Sequence, residues 1–217
     1  MNNLPTVAVH DLMIHPLYND VIAGTHGRGI WICDDITSLQ NVNKEILASA
    51  AYLFDQRVAT QWRSIGRGGS RGQFLFRGEN PPSGAKISYH LAANTKNAKL
   101  TITDWDGKLK KEVELKDQSG LNKYLWNFRF DPPKLNEEEK KLFDKYTKAT
   151  EREVRREIGN QLRESLEKRG QRFTGISRRT NQLNSIPAEP GVYKVTLTVD
   201  KVSITKSLTV RRDPLYN

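Results

Sequence analysis

Three of the four histidines in this chain lie in its first 26 residues, close to a carboxylate. His10, His15 and His26 surround Asp11 in the sequence, and imidazole and carboxylate groups are ordinary ligands of zinc and related metals. Taken together, their separations fit no established ligand motif. We therefore predict no metal site and expect these imidazoles to hydrogen-bond to strand backbone. His26 is kept as a candidate ligand or interface residue.

Arginines beside glycines occur at two places where the chain could hold an anion. Arg28 stands between two glycines, and Arg67 and Arg71 lie in the glycine-rich stretch 66–72. Guanidinium groups bind anions in bidentate fashion, and glycine-rich backbone can surround a phosphate. The stretch lacks the Gly-Lys-Ser/Thr ending of a P-loop and no helical pattern follows it. We favour a turn around Arg28 and a mobile loop at 66–72, with all three arginines as candidate ligand residues.

A third candidate is Trp105, within Asp104-Trp105-Asp106-Gly107. Some calcium loops begin with paired carboxylates and a glycine, but the later ligands, including the closing glutamate, are missing here. The pattern predicts a structural hairpin turn instead. Trp105 at the tip of that hairpin is a candidate for stacking on a sugar ring, whereas the aromatic row in 124–130 is more typical of a buried core.

No catalytic residues, metal or cofactor are predicted for this chain. We find no nucleophile–base set, and a glycosidase would need two carboxylates facing one cleft. The net charge of +10 and the pI of about 9.7 raise the hypothesis of a polyanionic partner. Much of that charge lies in 134–182, where both signs are mixed, so we do not expect nucleic acid to be the partner.

Cysteine content and hydropathy limit which covalent links and membrane segments the chain can have. Cys33 is the only cysteine, which excludes an intrachain disulfide. No apolar run reaches the length of a transmembrane helix, so no membrane span is predicted. The first residues also lack the basic start and apolar stretch of a signal peptide. The sequence itself indicates no cellular compartment.

The clearest structural pattern is a β-hairpin near the end of the chain. Residues 191–199 alternate apolar and polar side chains, Asp200-Lys201 connects them to 202–210, and the alternation resumes. An isolated hairpin is only marginally stable, so other strands must cover its apolar row. Strands recurring about every ten residues predict an immunoglobulin- or fibronectin-like sandwich. Its further strands are expected at 74–76, 85–91, 98–104, 111–115 and 123–130.

A helical pattern interrupts these strands between about 134 and 188. Asn136 and Glu139 form an Asn-x-x-Glu capping box, and Lys168-Arg169-Gly170 has the composition of a helix end. The segment fits one bent helix or a two-helix arm. One interpretation is a solvated arm whose glutamates and arginines pair at i,i+4 spacing. The other is a basic amphipathic surface for a partner.

The first forty residues predict three short strands, at 9–14, 21–25 and 30–33, with a crossover after them. Three antiparallel strands match one propeller blade that lacks its fourth strand, and a single blade cannot bury its own faces. The run from Val9-His10-Asp11-Leu12 to Gly24-Thr25-His26-Gly27-Arg28-Gly29-Ile30-Trp31 and Asp34-Asp35 resembles the last blade of sortilin-type, BNR/Asp-box repeat propellers. Bacterial members are often labelled glycosyl hydrolases, although the Asp-box itself is absent here.

The resemblance implies a C-terminal fragment of a larger protein. We predict an incomplete last blade at 1–40, a crossover and flexible linker at 41–72, and a sandwich domain at 73–217 that carries the helical insert. The chain would be a non-catalytic accessory module that braces the propeller, with upstream blades as its partners. It would expose apolar surface around Val21, Ile22, Ile30 and Trp31. The alternative is a carbohydrate- or polyanion-binding module that uses the arginine–glycine loop and the basic arm.

Overall fold

The computed structural model describes residues 4–63, 83–93, 95, 97–115, 119–177 and 179–215. Strands account for 39% of the chain and helices for 21%, so the prediction of a mainly β protein is confirmed. The predicted strand at 74–76 and the candidate residues Arg67 and Arg71 lie outside the described residues.

The N-terminal strands have the bounds that the sequence predicts. β1 (Val9–Ile14), β2 (Val21–Thr25) and β3 (Ile30–Cys33) form an antiparallel sheet in the order β1-β2-β3. Two short helices follow, α1 (Thr37–Asn41) and α2 (Lys44–Ala48). Helix α1 was not predicted, because its polar composition lacks an apolar stripe.

The rest of the chain contributes ten strands and two longer helices to the described structure. These elements are β4 (Ala51–Leu53), β5 (Ala59–Gln61), β6 (Ala85–Leu91), β7 (Ala98–Thr103), β8 (Lys110–Leu115), β9 (Gly120–Trp126), β10 (Arg129–Phe130), α3 (Glu137–Lys148), α4 (Arg152–Lys168), β11 (Ile186–Pro187), β12 (Gly191–Val199) and β13 (Val202–Arg212).

The predicted hairpin, β12 and β13, lies at the centre of a five-stranded sheet. The strand order is β5-β13-β12-β7-β8, and only β5 runs parallel to its neighbour. A second sheet has the order β4-β6-β9. The two sheets supply one hydrophobic core, in which Val195 and Leu208 of the first join Ile87 and Trp126 of the second. The apolar row of the hairpin is therefore covered, as its alternation requires.

The aromatic run at 123–130 is not one continuous strand. Phe128 has a φ of 56°, a left-handed conformation that interrupts the ladder between β9 and β10. The break lets β10 pair with β11, a strand that the sequence analysis did not identify. Trp126 and Phe130 are nevertheless both buried, as predicted, and their ring centroids lie 5.3 Å apart.

The helical insert consists of two helices joined through one buried carboxylate. The predicted capping box is present, with Asn136 Oδ1 accepting from Glu139 N at 2.8 Å and Glu139 Oε2 accepting from Asn136 N at 2.8 Å. The side chain of Glu139 is fully buried. Its Oε1 accepts from Ser165 Oγ of α4 at 2.9 Å and lies 3.3 Å from Arg169 Nε. The Glu139 carboxylate therefore caps the start of α3 and also binds α4 to it.

One buried histidine is expected to make the stability of the fold depend on pH. His90 in β6 is 3% exposed, and its Nδ1 has no hydrogen-bond partner among the described residues. Burial lowers the pKa of His90, because the charged imidazolium would lose its hydration. Below the ordinary histidine value of about 6.5, the unfolded chain takes up a proton that the folded chain resists. We therefore expect the free energy of unfolding to fall as the pH drops from 7 towards 5.

Urea unfolding of the wild-type chain and of His90→Gln at pH 7.0 and pH 5.0 measures this contribution. The slope that one such histidine adds cannot exceed about 1.4 kcal/mol per pH unit. His90→Gln removes the titrating group, so its stability should change less between the two pH values. Equal changes for the two chains would contradict the prediction.

Candidate functional site

Apolar side chains occupy one face of the N-terminal sheet and are open to solvent. Residues directly opposite each other in an antiparallel ladder share a face, and residues two apart along a strand do so too. Met13 pairs with Ile22, which pairs with Ile32. With Ile30 they form what we call the isoleucine face. Ile30 is 72% exposed, Ile32 60% and Met13 51%.

The opposite face of the same sheet is also apolar. It comprises Leu12, Ile14, Val21 and Trp31, and we call it the leucine face. Leu12 is 64% exposed and Ile14 47%. Ordinary surface sheets are apolar on one face only, whereas strands buried on both faces read as nearly continuous apolar runs. Large exposed apolar patches mark interaction sites. We therefore take this sheet as the candidate functional site.

Three of the predicted site residues lie in or beside the turn that joins β2 to β3. Trp31 Nε1 donates to the backbone carbonyl of Arg28 at 3.1 Å. His26 stacks on His10 with ring centroids 5.0 Å apart, and its backbone N donates to the carbonyl of Ala8 at 3.0 Å. The glycines on either side of Arg28 have φ of 71° and 76°, which supports the predicted turn. His26 and Arg28 thus lie in this turn, and Trp31 follows it in β3 as part of the leucine face.

Trp105 lies elsewhere, in the turn between β7 and β8. It is 62% exposed, and Lys194 Nζ lies 4.5 Å from its ring centroid. Asp104 Oδ1 accepts from Leu109 N at 2.9 Å. This carboxylate therefore closes the hairpin, in agreement with the predicted structural turn. The ammonium of Lys194 lies over the Trp105 ring, where it would compete with a sugar for that surface.

The glycine-rich stretch 66–72, with Arg67 and Arg71, lies outside the described residues. Its residues 68–72 also match the Gly-x-Ser-x-Gly spacing of a nucleophile elbow. That motif needs a helix directly after the serine, and the residues beyond 72 show no helical periodicity. The spacing alone therefore gives no reason to assign a nucleophile.

Basic side chains of the main body hold the N-terminal sheet in place. Lys86 Nζ of β6 lies 2.6 Å from Oδ2 of Asp34, the residue that directly follows β3. Lys123 Nζ of β9 donates to the backbone carbonyls of Asp34 and Asp35 at 3.0 and 2.5 Å. Arg57 Nη1 donates to the carbonyl of Tyr18 at 2.5 Å. Sequence reasoning missed these contacts because the partners are 39 to 89 residues apart.

A cavity of about 220 Å³ lies at this junction, and its lining includes Asp20, Asp34, Arg57 and Lys86. Asp34 is paired with Lys86, and Asp20 lies 3.5 Å from Arg57. Among the described residues, no three His, Cys, Asp or Glu side chains are grouped so that they could hold a metal ion. The charged groups at this cavity therefore serve to attach the sheet.

Among the described residues, Glu112 in β8 is the one carboxylate with a large pKa shift, and it borders a surface cavity of about 590 Å³. Hydrogen bonds from Lys99 and Lys110 lower the pKa of Glu112 to about 2. The three side chains lie on the surface of β7 and β8, with Nζ–Oε1 distances of 2.6 and 2.9 Å. A carboxylate stabilised in this way is a poor general acid or base at neutral pH. It acts as a cross-strand ion pair.

No family model matches this chain, and neither a curated protein nor a solved structure does. Among the helices of the described ranges, none is both long and apolar enough to cross a membrane. Function is therefore inferred from the surfaces described above.

Proposed function

We propose that this chain is a non-catalytic accessory module of a larger BNR-repeat, sortilin-type propeller protein. In this proposal β1, β2 and β3 are the incomplete last blade, and neighbouring blades of the propeller are its partners. The observation that carries the proposal is the exposure of large apolar side chains on both faces of this sheet, including Leu12 at 64% and Ile30 at 72%.

The partner that fits two apolar faces is another β-sheet. Packed sheets lie about 10 Å apart and interdigitate their apolar rows. A blade inside a propeller has such a neighbour on each side, which requires apolar residues on both of its faces. Fully burying an isoleucine or leucine side chain contributes about 1.5–3 kcal/mol. Several such residues on the isoleucine and leucine faces would give a docking energy that favours a stable assembly.

The remainder of the chain suits a bracing role. We infer that the five-stranded and three-stranded sheets form an immunoglobulin- or fibronectin-like sandwich around their common core. The sandwich holds the blade through Lys86, Lys123 and Arg57, whose partners are carboxylates and backbone carbonyls of the N-terminal segment. These contacts involve Tyr18, Asp34 and Asp35, none of which belongs to the isoleucine face or the leucine face.

The test compares the chain alone with the chain produced together with the protein segment encoded immediately before it. Alone, the chain should bind a hydrophobic dye and exchange the amides of residues 9–33 rapidly. With the preceding blades present, dye binding should be lost and those amides should exchange at least about tenfold more slowly. Ile30→Thr with Ile32→Thr, which keeps β-branched side chains, should prevent this protection.

Val192→Thr with Val202→Thr is the matched control. These two valines lie on the hairpin of β12 and β13, far along the chain from the N-terminal sheet, and are 45% and 60% exposed. The control should leave both dye binding and protection unchanged. A chain that alone binds no dye and protects residues 9–33 would show that the sheet needs no neighbour. A preceding segment without Asp-box repeats would overturn the assignment to a propeller.

A further inference from the structure

Helix α4 carries its charges in two parallel stripes. The dipeptide Arg-Glu occurs three times in it, beginning at Arg152, Arg156 and Arg163. On a helix of 3.6 residues per turn, positions i, i+4 and i+11 lie within about 40° of each other. The three arginines therefore form one stripe, about 16 Å long at 1.5 Å per residue. The glutamates form a second stripe about 100° away.

The two stripes do not neutralise each other directly. Every residue of α4 is described, and none of its glutamates lies within 4.0 Å of one of its arginines. The predicted i,i+4 pairing within this helix is therefore wrong. Arg152, Arg156 and Arg163 are all exposed, so the stripe presents its positive charge to solvent.

A groove runs beside the arginine stripe. It consists of two adjoining surface cavities of about 700 and 190 Å³, which share Tyr146, Arg155 and Arg156 in their linings. The smaller cavity is also lined by Arg163 and Phe173. The larger one also contains Glu153 from the acidic stripe. Four of the side chains that line the groove are thus Arg152, Arg155, Arg156 and Arg163.

Two of these arginines lie over aromatic rings. The guanidinium carbon of Arg155 lies 5.6 Å from the centroid of Tyr146, and Arg155 Nε donates to the carbonyl of Ala149 at 2.6 Å. The guanidinium carbon of Arg163 lies 5.8 Å from the centroid of Phe173. A guanidinium held over a ring keeps in-plane N–H donors for an anion and loses less conformational entropy on binding.

We propose that this groove binds a linear anionic polysaccharide, through its sulfate groups, along the arginine stripe. The ligand must be anionic, because the groove offers guanidinium donors along its length. It must also be narrow, because Glu153, Glu157 and Glu164 on the neighbouring stripe would repel the phosphates of a duplex lying across the helix.

Single-stranded nucleic acid fits the groove less well. Proteins that bind it without sequence preference stack its bases on open aromatic faces. In this groove Arg155 lies over one face of Tyr146, and Arg163 lies over one face of Phe173. A base would have to compete with these guanidinium groups for the two rings, which favours a chain recognised by its anionic groups.

The experiment measures binding of the full chain to a heparin octasaccharide, with an oligothymidylate and a DNA duplex of similar length as comparison ligands. The variant Arg152→Gln/Arg156→Gln/Arg163→Gln removes three positive charges and keeps good helix-forming side chains. We expect its heparin affinity to fall at least about tenfold at low salt. We also expect the slope of log affinity against log salt to become shallower by about 2.

The control variant Lys108→Gln/Lys201→Gln/Arg212→Gln removes the same charge from exposed positions on β-hairpins and β13. It should bind heparin as the wild type does. Circular dichroism should show unchanged helix content in both variants. If the triple variant is unfolded, the single variant Arg156→Gln replaces it, and its heparin affinity should fall about threefold. An equal loss in both triple variants would overturn the groove in favour of general positive charge. No binding at low salt, or tighter binding of the oligothymidylate or the duplex, would overturn the proposal as well.

Discussion

Replacing Trp126 by alanine should lower the free energy of unfolding by about 3–5 kcal/mol. The side chain is fully buried at the centre of the core. Its ring lies 5.3 Å from Phe130 and 5.2 Å from Tyr193, and its Nε1 donates to the carbonyl of Arg129 at 2.8 Å. The substitution removes these contacts, leaves a cavity between the two sheets, and leaves a carbonyl without its partner. Urea unfolding followed by tryptophan fluorescence and circular dichroism measures the change.

Trp105→Ala is the matched control, because the same atoms are removed from a ring that is 62% exposed. It loses the cation–π contact with Lys194, which contributes about 0.5–1 kcal/mol at exposed sites. If Trp126→Ala lowered the free energy of unfolding no more than Trp105→Ala does, the result would contradict a core shared by the two sheets.

Replacing Gly84 by alanine should destabilise the chain by about 3 kcal/mol, through backbone strain and overpacking. Gly84 precedes β6 and has a φ of 151°. A Cβ at this position would lie 2.5 Å from the carbonyl oxygen of Trp126 and 2.9 Å from Leu125 Cδ1. The carbonyl belongs to the backbone of β9, so relief of the clash requires the pairing of β6 with β9 to shift.

Gly191→Ala is the comparison for this substitution. At Gly191 an added Cβ meets no atom within 4 Å and the backbone needs no positive φ, so the change should be within about 0.5 kcal/mol. Thermal unfolding of the two variants and the wild type is sufficient to rank them. If Gly84→Ala were as stable as Gly191→Ala, the close approach of β6 to the end of β9 would be refuted.

The two proposed surfaces can be examined independently, because they lie on different elements. The isoleucine and leucine faces belong to β1, β2 and β3, whereas the arginine stripe belongs to α4. Loss of polysaccharide binding would leave the docking proposal intact, and an N-terminal sheet that needs no partner would not affect the groove. A chain with both properties would dock through one end and hold an anionic chain with its helical arm.

The sequence by itself determined where most elements lie. Period-two alternation places one row of side chains on each face of a strand, so the ranges 85–91 and 191–199 are recognisable without any neighbour. The N-terminal strands were located differently, as short apolar runs bounded by turn residues. The capping box at Asn136 and Glu139 identified the start of α3, because both hydrogen bonds form within a single turn. Information of this kind is local.

Only the tertiary structure decided which strands pair and what the polar side chains do. Alternation shows that a strand has an apolar face, but it does not identify the strand beside it, so the pairing of β10 with β11 and the break at Phe128 were not predicted. The ion pair of Lys86 with Asp34 joins residues 52 positions apart, a separation at which sequence spacing carries no geometric information. The separation of α4 into arginine and glutamate stripes is implicit in its three Arg-Glu dipeptides. Packing against α3 and Phe173 decided that the arginine stripe borders a groove.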